Sequence, residues 1–263
     1  MTESASGLVS LRNEGRVAVV TLNRPEAMNA ISGEAADELS EVFWRLRHDR
    51  ETWVVVLAAA GEKAFCVGAD LKERARFTLY DFYKNRDQIR GMFSSLRKVP
   101  QPTIASVFGF ALGGGFELAL SCDLIIASQD AVFGLPETRV GLIPAGGGTQ
   151  LLTRKVGVAR AKELIFRGRR IDAKEAKELG LVADVTERNE LDGWTMQVAQ
   201  DICRSSPVAV RQAKEAIDGA LGVPIEDGIE LEHDAWRRTI TSSDRVEGIE
   251  AFTQKRDPEW HNE

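Results

Sequence analysis

The patterning of this chain specifies an α/β core that gives way to a helical C-terminal region. Three observations carry this. Short β-branched runs at 16–23 and 53–59 are closed by polar or Gly punctuation, a helical stripe lies between them, and β-type runs become sparse after about residue 145.

The first run, RVAVVTLN, and the second, WVVVLAA, read as buried strands. Between them Ser32 is placed to cap a helix, and Leu39, Val42, Phe43 and Leu46 fall on one face of it. A helical stretch near 79–98, an apolar run TIASVFGFAL beyond Pro102, a Gly-rich turn and the run CDLIIAS follow. That order builds a sheet covered on both faces. Helical segments then dominate, at about 147–156, 158–166, 173–179, 190–204, 207–221 and, with a break, 225–254. Pro207 after Ser206 suits the first position of one of them, where a missing amide costs nothing. No low-complexity linker intervenes. The α/β core is assigned to residues 1–200 and the helical region to 201–263, and an appended helical layer of this kind packs on another subunit.

Composition excludes several function classes. The chain has 263 residues, 43% hydrophobic and 28% charged, enough apolar material for a substantial core. Its net charge of −6 gives no general attraction to nucleic acid or anionic lipid. Three cysteines (Cys66, Cys122, Cys203) without a CxxC pair support neither a disulfide framework nor a zinc site, and point to a reducing, cytoplasmic setting. The start, MTESASGLVS, lacks the apolar block of a signal peptide, and no apolar stretch is long enough to span a membrane. Histidines occur only at 48, 233 and 261, so chemistry is expected from carboxylates and backbone, with no metal and no cofactor.

Three stretches stand out. In AFCVGADLKE (64–73) a strand-like approach ends at Gly68 and a polar helix begins near Asp70. Amides around Ala69 then favour negative charge, or the stretch is a plain turn with Asp70 as its cap. In GFALGGGFELALSCDLIIAS (109–128) three glycines precede a short helix that is apolar on every side, and Glu117 lies inside it. A carboxylate so placed pairs, shifts its pKa or does chemistry. In FGLPETRVGLIPAGGGTQ, Glu137 follows Pro136 and also suits an ordinary helix start. The glycines at 146–148 lack the GK[ST] of a phosphate loop. Together, two Gly-rich turns offer paired N–H donors for an oxyanion and two glutamates offer proton transfer. That equipment suits enolate chemistry beside a thioester carbonyl.

These stretches, with NRPEAMNA (23–30), PVAVRQAKEAI (207–217) and GIEAFTQKRDP (248–258), resemble the crotonase, or enoyl-CoA hydratase/isomerase, superfamily. The resemblance implies a spiral of strand–strand–helix turns followed by helices that build trimers, commonly paired into hexamers. It implies an oxyanion hole from the amides of Ala69 and Gly114, and catalytic carboxylates at Glu117 and Glu137. Possession of both glutamates favours water addition to a 2-enoyl-CoA, a lyase activity of lipid metabolism. Coenzyme A enters as part of the substrate, resting on Ala27 and the loop of Cys66, Gly68, Ala69 and Asp70. Arg24, Lys72 and Lys255 or Arg256 are the candidate phosphate cations, and Phe252 the candidate ring contact, the C-terminal ones serving a neighbouring subunit.

GADLKERA (68–75) and AKELIF (161–166) are also similar to the methylglutaconyl-CoA hydratase branch, some of whose members bind RNA through a lysine-lined helix. The corresponding helix here carries six acids and no lysine, so no nucleic-acid partner is expected. Two alternatives to the hydratase are a Δ3,Δ2-enoyl-CoA isomerase working through Glu137 alone and an idle acyl-CoA-binding subunit.

Overall fold

The structure, a computed structural model, describes residues 2–3 and 7–263. It begins with β1 (Thr2–Glu3), β2 (Val9–Glu14) and β3 (Val17–Leu22), paired antiparallel in turn. Helix α1 (Gly33–His48) follows, and Ser32 accepts the Ala35 amide as its cap.

Three successive turns of a spiral then run strand, strand, helix. In the first, β4 (Val54–Ala59) and β5 (Ala64–Cys66) precede α2 (Leu71–Arg74) and α3 (Leu79–Arg97). In the second, β6 (Thr103–Val107) and β7 (Phe110–Leu112) precede α4 (Gly114–Ser121). In the third, β8 (Leu124–Ser128) and β9 (Val132–Gly134) precede α5 (Gly148–Val156) and α6 (Val158–Arg167). The first strand of each turn joins one sheet and the second joins another. With β10 (Arg170–Asp172), α7 (Ala173–Glu178) and β11 (Asp184–Thr186), the sheets are ordered β1-β2-β3-β4-β6-β8-β11 and β10-β9-β7-β5. From β3 to β11 the larger sheet is parallel.

The run TIASVFGFAL is therefore two strands in two sheets, not one. The corner carbonyls are claimed by neighbouring turns, Phe108 O by the Phe65 amide and Gly109 O by the Val132 amide, so the chain bends where the apolar pattern is unbroken. The short strands β5, β9, β10 and β11 and the polar β2 have no patterning of their own and exist through their partners.

Alternation in β3 sends Ala18, Val20 and Leu22 into the layer beneath α1 and between the sheets, and Val17 and Val19 to the outer face. That face is covered by Leu191 and Ala199 of α8 (Leu191–Cys203), a helix that spans the 200/201 boundary drawn from sequence. Beyond it lie α9 (Pro207–Gly219), α10 (Ile225–Ile240) and α11 (Ser243–Gln254). Lys214 of α9 docks this region on the core: its ammonium donates to Val99 O, Gln101 O and, at 2.7 Å, Asp123. Only Gly228 and Ala235 of α10 are buried, while Ile225, Ile229 and Trp236 are exposed in the single chain. Among the described residues no helix is long and apolar enough to cross a membrane.

Candidate active site

Ala69 lies where β5 hands over to α2. Ile31 bridges it in parallel fashion, donating to Gly68 O and accepting from the Asp70 amide. In such a bridge the central residue's own N–H points the other way, toward the start of α4. Gly114 is the first residue of α4 and so has an amide without an acceptor in its own helix.

The two amides are neighbours because the loops touch. A Cβ on Gly68, whose φ is +87°, would stand 2.8 Å from the Gly114 nitrogen, and one on Gly115 would stand 2.0 Å from Cys66 O. Glycine is required at both by this backbone approach. A Cβ on Gly114 itself would meet nothing nearer than Gly68 Cα, at 3.4 Å, with the Ala69 nitrogen next at 3.8 Å. Glu137 joins from the far side, with Oε1 3.0 Å from where a Gly113 Cβ would be.

Glu117 sits one turn into α4 and is 3% exposed. Its Oε1 accepts the Gly146 amide at 2.7 Å and the Gly148 amide at 2.8 Å. The glycines at 146–148, rather than cradling a phosphate, thus hold the chain's own carboxylate, and they are the partners that sequence reasoning missed. The signal was present in the AGGGT run but its ligand lay 29 residues away. Burial raises the Glu117 pKa, offset in part by the amides of Gly148, Gly146 and Gly147 and by the Arg86 charge.

Glu137 occupies a short 3-10 turn, Glu137–Val140, rather than the first turn of an α-helix. Its Oε2 is buried without a hydrogen-bond partner. Desolvation lifts the carboxyl to about 7; its own backbone amide opposes this and repulsion from Glu117 adds to it. Two carboxyl groups with unequal support are thus coupled across one cleft: Glu117 is anchored by amides, and Glu137 holds its proton into the neutral range.

The segment 24–31 and the loop 66–72 are stitched together. The Val67 amide donates to Met28 O, and Arg24 forms a 2.7 Å ion pair with Asp70. Asp70 caps α2 by accepting from the amides of Lys72 and Glu73. Burial alone would raise its pKa, but the Arg24 hydrogen bond, these amides and the Arg24 charge carry it below the ordinary value. Buried Asn29 donates to Ala60 O and Ala64 O and so holds the turn that contains Ala27. The segment holding Arg24 and Ala27 and the loop from Cys66 to Lys72 are thus joined to each other, and the loop meets the start of α4 at Gly114. Cys66 lies wholly inside, its thiol pushed up by burial to about 12, and Lys72 is exposed.

Phe252, 86% exposed, and Lys255 stand on α11 and at its C-terminal cap. Among the described residues no hydrogen bond or ion pair joins them to this region. Arg256, just past α11, pairs with Glu247 of that helix. The tail beyond α11 is tied instead to the other end of β3 and β4, where Asn262 donates to Arg50 O.

Comparison with known proteins adds to this geometry. The enoyl-CoA hydratase/isomerase family model matches residues 12–263. The chain is 40% identical over 248 residues to the short-chain-enoyl-CoA hydratase of Clostridium acetobutylicum, covering 94% of this chain and 95% of that one. It is 38% identical over 267 residues to the mitochondrial methylglutaconyl-CoA hydratase of Homo sapiens, covering 100% of this chain and 79% of the relative. The crystal structure of an enoyl-CoA hydratase from Bacillus anthracis superposes with a TM-score of 0.95 at 42% identity, over 97% of this chain and 100% of that one.

Proposed function

The chain belongs to the enoyl-CoA hydratase/isomerase family, and from that premise we propose that it adds water across the double bond of a 2-enoyl-CoA thioester. The observation that carries this is the unequal pair: Glu117 fixed as an acceptor by two amides, and Glu137 with a buried, unpartnered oxygen and a pKa near neutrality.

Water sits between the two carboxyl groups. Its oxygen bonds to C3 as Glu117 takes its proton, and the C2=C3 electron pair moves toward the thioester, whose oxygen becomes an enolate held by the Ala69 and Gly114 amides. Glu137 then delivers its proton to C2, and transfer of the water-derived proton from Glu117 to Glu137 restores the pair. The region around Arg24, Ala27, Lys72 and the 66–70 loop receives the coenzyme A portion of the substrate, and the reading uses no separate cofactor. Phe252 and Lys255, apart from that region in one chain, act on a neighbouring subunit's ligand in a trimer or hexamer. Exposed apolar residues on α10 and α11, among them Ile229, Trp236 and Ile249, support such an assembly. The unpaired thiols of Cys66, Cys122 and Cys203 suit a reducing, cytoplasmic setting.

Hydration of crotonyl-CoA, followed by loss of the conjugated enoyl absorbance, is the direct test. Glu117→Gln and Glu137→Gln should each lower kcat by about 10²–10⁴. Undiminished turnover in either variant removes that glutamate from the mechanism.

A further inference from the structure

Glu117 owes its position to a turn that is itself held from outside. Arg97, in the last turn of α3, donates from Nη1 to Gly146 O at 3.0 Å, while the Gly146 amide donates to Glu117. The same peptide region is thus gripped on its carbonyl side by a guanidinium and grips the carboxylate on its amide side. A Cβ on Gly147 would lie 3.5 Å from the same Arg97 nitrogen, so the guanidinium also adjoins the second residue of the turn. Phe93, one helical turn earlier on α3, backs Gly146 so closely that a Cβ there would stand 2.2 Å from its ring. The turn is clamped between an aromatic ring and a cation, and it cannot shift without taking Glu117 with it.

The charges facing Glu117 are few. From α3 come Arg97 and Arg86, both of which interact favourably with its carboxylate. From the 3-10 turn comes Glu137, which repels it. Of the strands packed on α4, β5 presents Cys66, a neutral thiol. The basic residues of α5, Arg154 and Lys155, lie in its last turn, away from Gly148, and Asp123 beyond α4 is paired with Lys214. Arg97 forms no ion pair among the described residues, Glu117 included, and its contact with the site is the hydrogen bond to Gly146 O.

We propose that Arg97 is a positioning residue for the catalytic base, holding the 146–148 turn through the Gly146 carbonyl and so keeping the Gly146 and Gly148 amides on Glu117 Oε1. This rests on the hydratase reading. A neutral, similarly long side chain removes the bond to the Gly146 carbonyl, and Lys keeps a cationic donor without the planar fork.

The test uses the full-length enzyme with crotonyl-CoA over a range of pH. Arg97→Met should lower kcat about 3–10-fold, the worth of one hydrogen bond near the surface, with KM little changed. The acid limb of its kcat profile should move to higher pH, because Glu117 then ionises later. Arg97→Lys, which keeps a cationic donor, should move the limb less than Arg97→Met does. Added guanidinium ion at low millimolar concentration should raise kcat of an Arg97→Ala variant and not that of wild type. A purely structural role for Arg97 would lower stability without moving the limb. Identical acid limbs in wild type and Arg97→Met overturn the proposal, whatever happens to kcat. Should wild type fail to hydrate crotonyl-CoA, the hydratase reading falls. The Glu117 carboxyl, followed by ¹³C NMR titration and assigned by its loss in Glu117→Gln, still decides this one: an unchanged titration in Arg97→Met refutes it, and an upward shift sustains it.

Discussion

The Gly146 amide meets Glu117 Oε1 at 2.7 Å across 29 residues of sequence. A carboxylate inside an apolar helix is costly to ionise, and here the amide donors that offset the cost come from the start of the next helical layer. The site is thus built where the second and third turns of the spiral abut.

Gly146→Ala tests that junction. The added methyl would stand 2.2 Å from the buried Phe93 ring and 2.8 Å from Glu117 Oε2. The turn must withdraw, and kcat should fall by about 10–100-fold through misplacement of Glu117. Overpacking should also destabilise the fold by about 1–3 kcal/mol. Steady-state kinetics together with urea unfolding separate the two effects; unchanged kcat in a folded variant contradicts the arrangement.

The elevated Glu137 pKa makes two statements about pH. Glu137 must be protonated to deliver its proton to C2, so kcat should decline as pH rises through about 7. Between 4.5 and about 7 the folded chain keeps a proton that the unfolded chain has lost, so stability contributed by this group falls as pH rises through that window. Glu137→Gln abolishes the dependence. At pH 8 the variant should be more stable than wild type by about 1–2 kcal/mol, a figure reduced for the group's partial exposure. Denaturant titrations at pH 5 and pH 8 measure it, and a gap that is larger at pH 5 has the wrong sign.

Adjacent glycines should respond differently to alanine. At Gly115 the methyl would fall 2.0 Å from the Cys66 carbonyl oxygen, a backbone atom of β5 that cannot step aside, so the variant should lose about 3 kcal/mol or fail to fold. At Gly114 the nearest atom is 3.4 Å away, and the loss should stay below about 1 kcal/mol. Thermal unfolding of both variants is the measurement, and equal losses would contradict the packing described.

Lys214 links the C-terminal helices to the sheet. Lys214→Met removes the ion pair with Asp123 and the bonds to Val99 O and Gln101 O, with both charged side chains largely shielded from water. A cost of about 1–3 kcal/mol is expected, less than for a fully buried pair. In a double-mutant cycle with Asp123→Asn, the two losses should not add. Additive losses measured by urea unfolding would show that the pair is not coupled.

Much of the fold was legible because its elements obey their own local rules. The stripe Leu39, Val42, Phe43 and Leu46 is buried on α1 as the periodicity requires, and Ser32 caps it. The helices after residue 145 fall close to their expected places, since capping residues and apolar spacing are local properties. The corner at Phe108–Gly109 was hidden because nothing in an unbroken apolar run distinguishes a strand that continues from one that changes sheets. The short strands were hidden because three residues carry no period.

At the site, chain chemistry nominated the turn around Ala69, the glycine run 113–115, Glu117 and Glu137, and the family resemblance singled out the amides of Ala69 and Gly114: exposed amides require glycine-rich turns, and a carboxylate among apolar residues is conspicuous in any sequence. Their division of labour was out of reach, because proton affinity depends on burial and on partners distant along the chain. Folding gave Glu117 the amides of Gly146 and Gly148 and left Glu137 Oε2 with none, which separates base from acid in the proposed mechanism. It also joined Arg24 to Asp70 and set Phe252 apart from them. Residue type determines which groups can carry charge; long-range packing determines what that charge costs, and hence which group holds the proton.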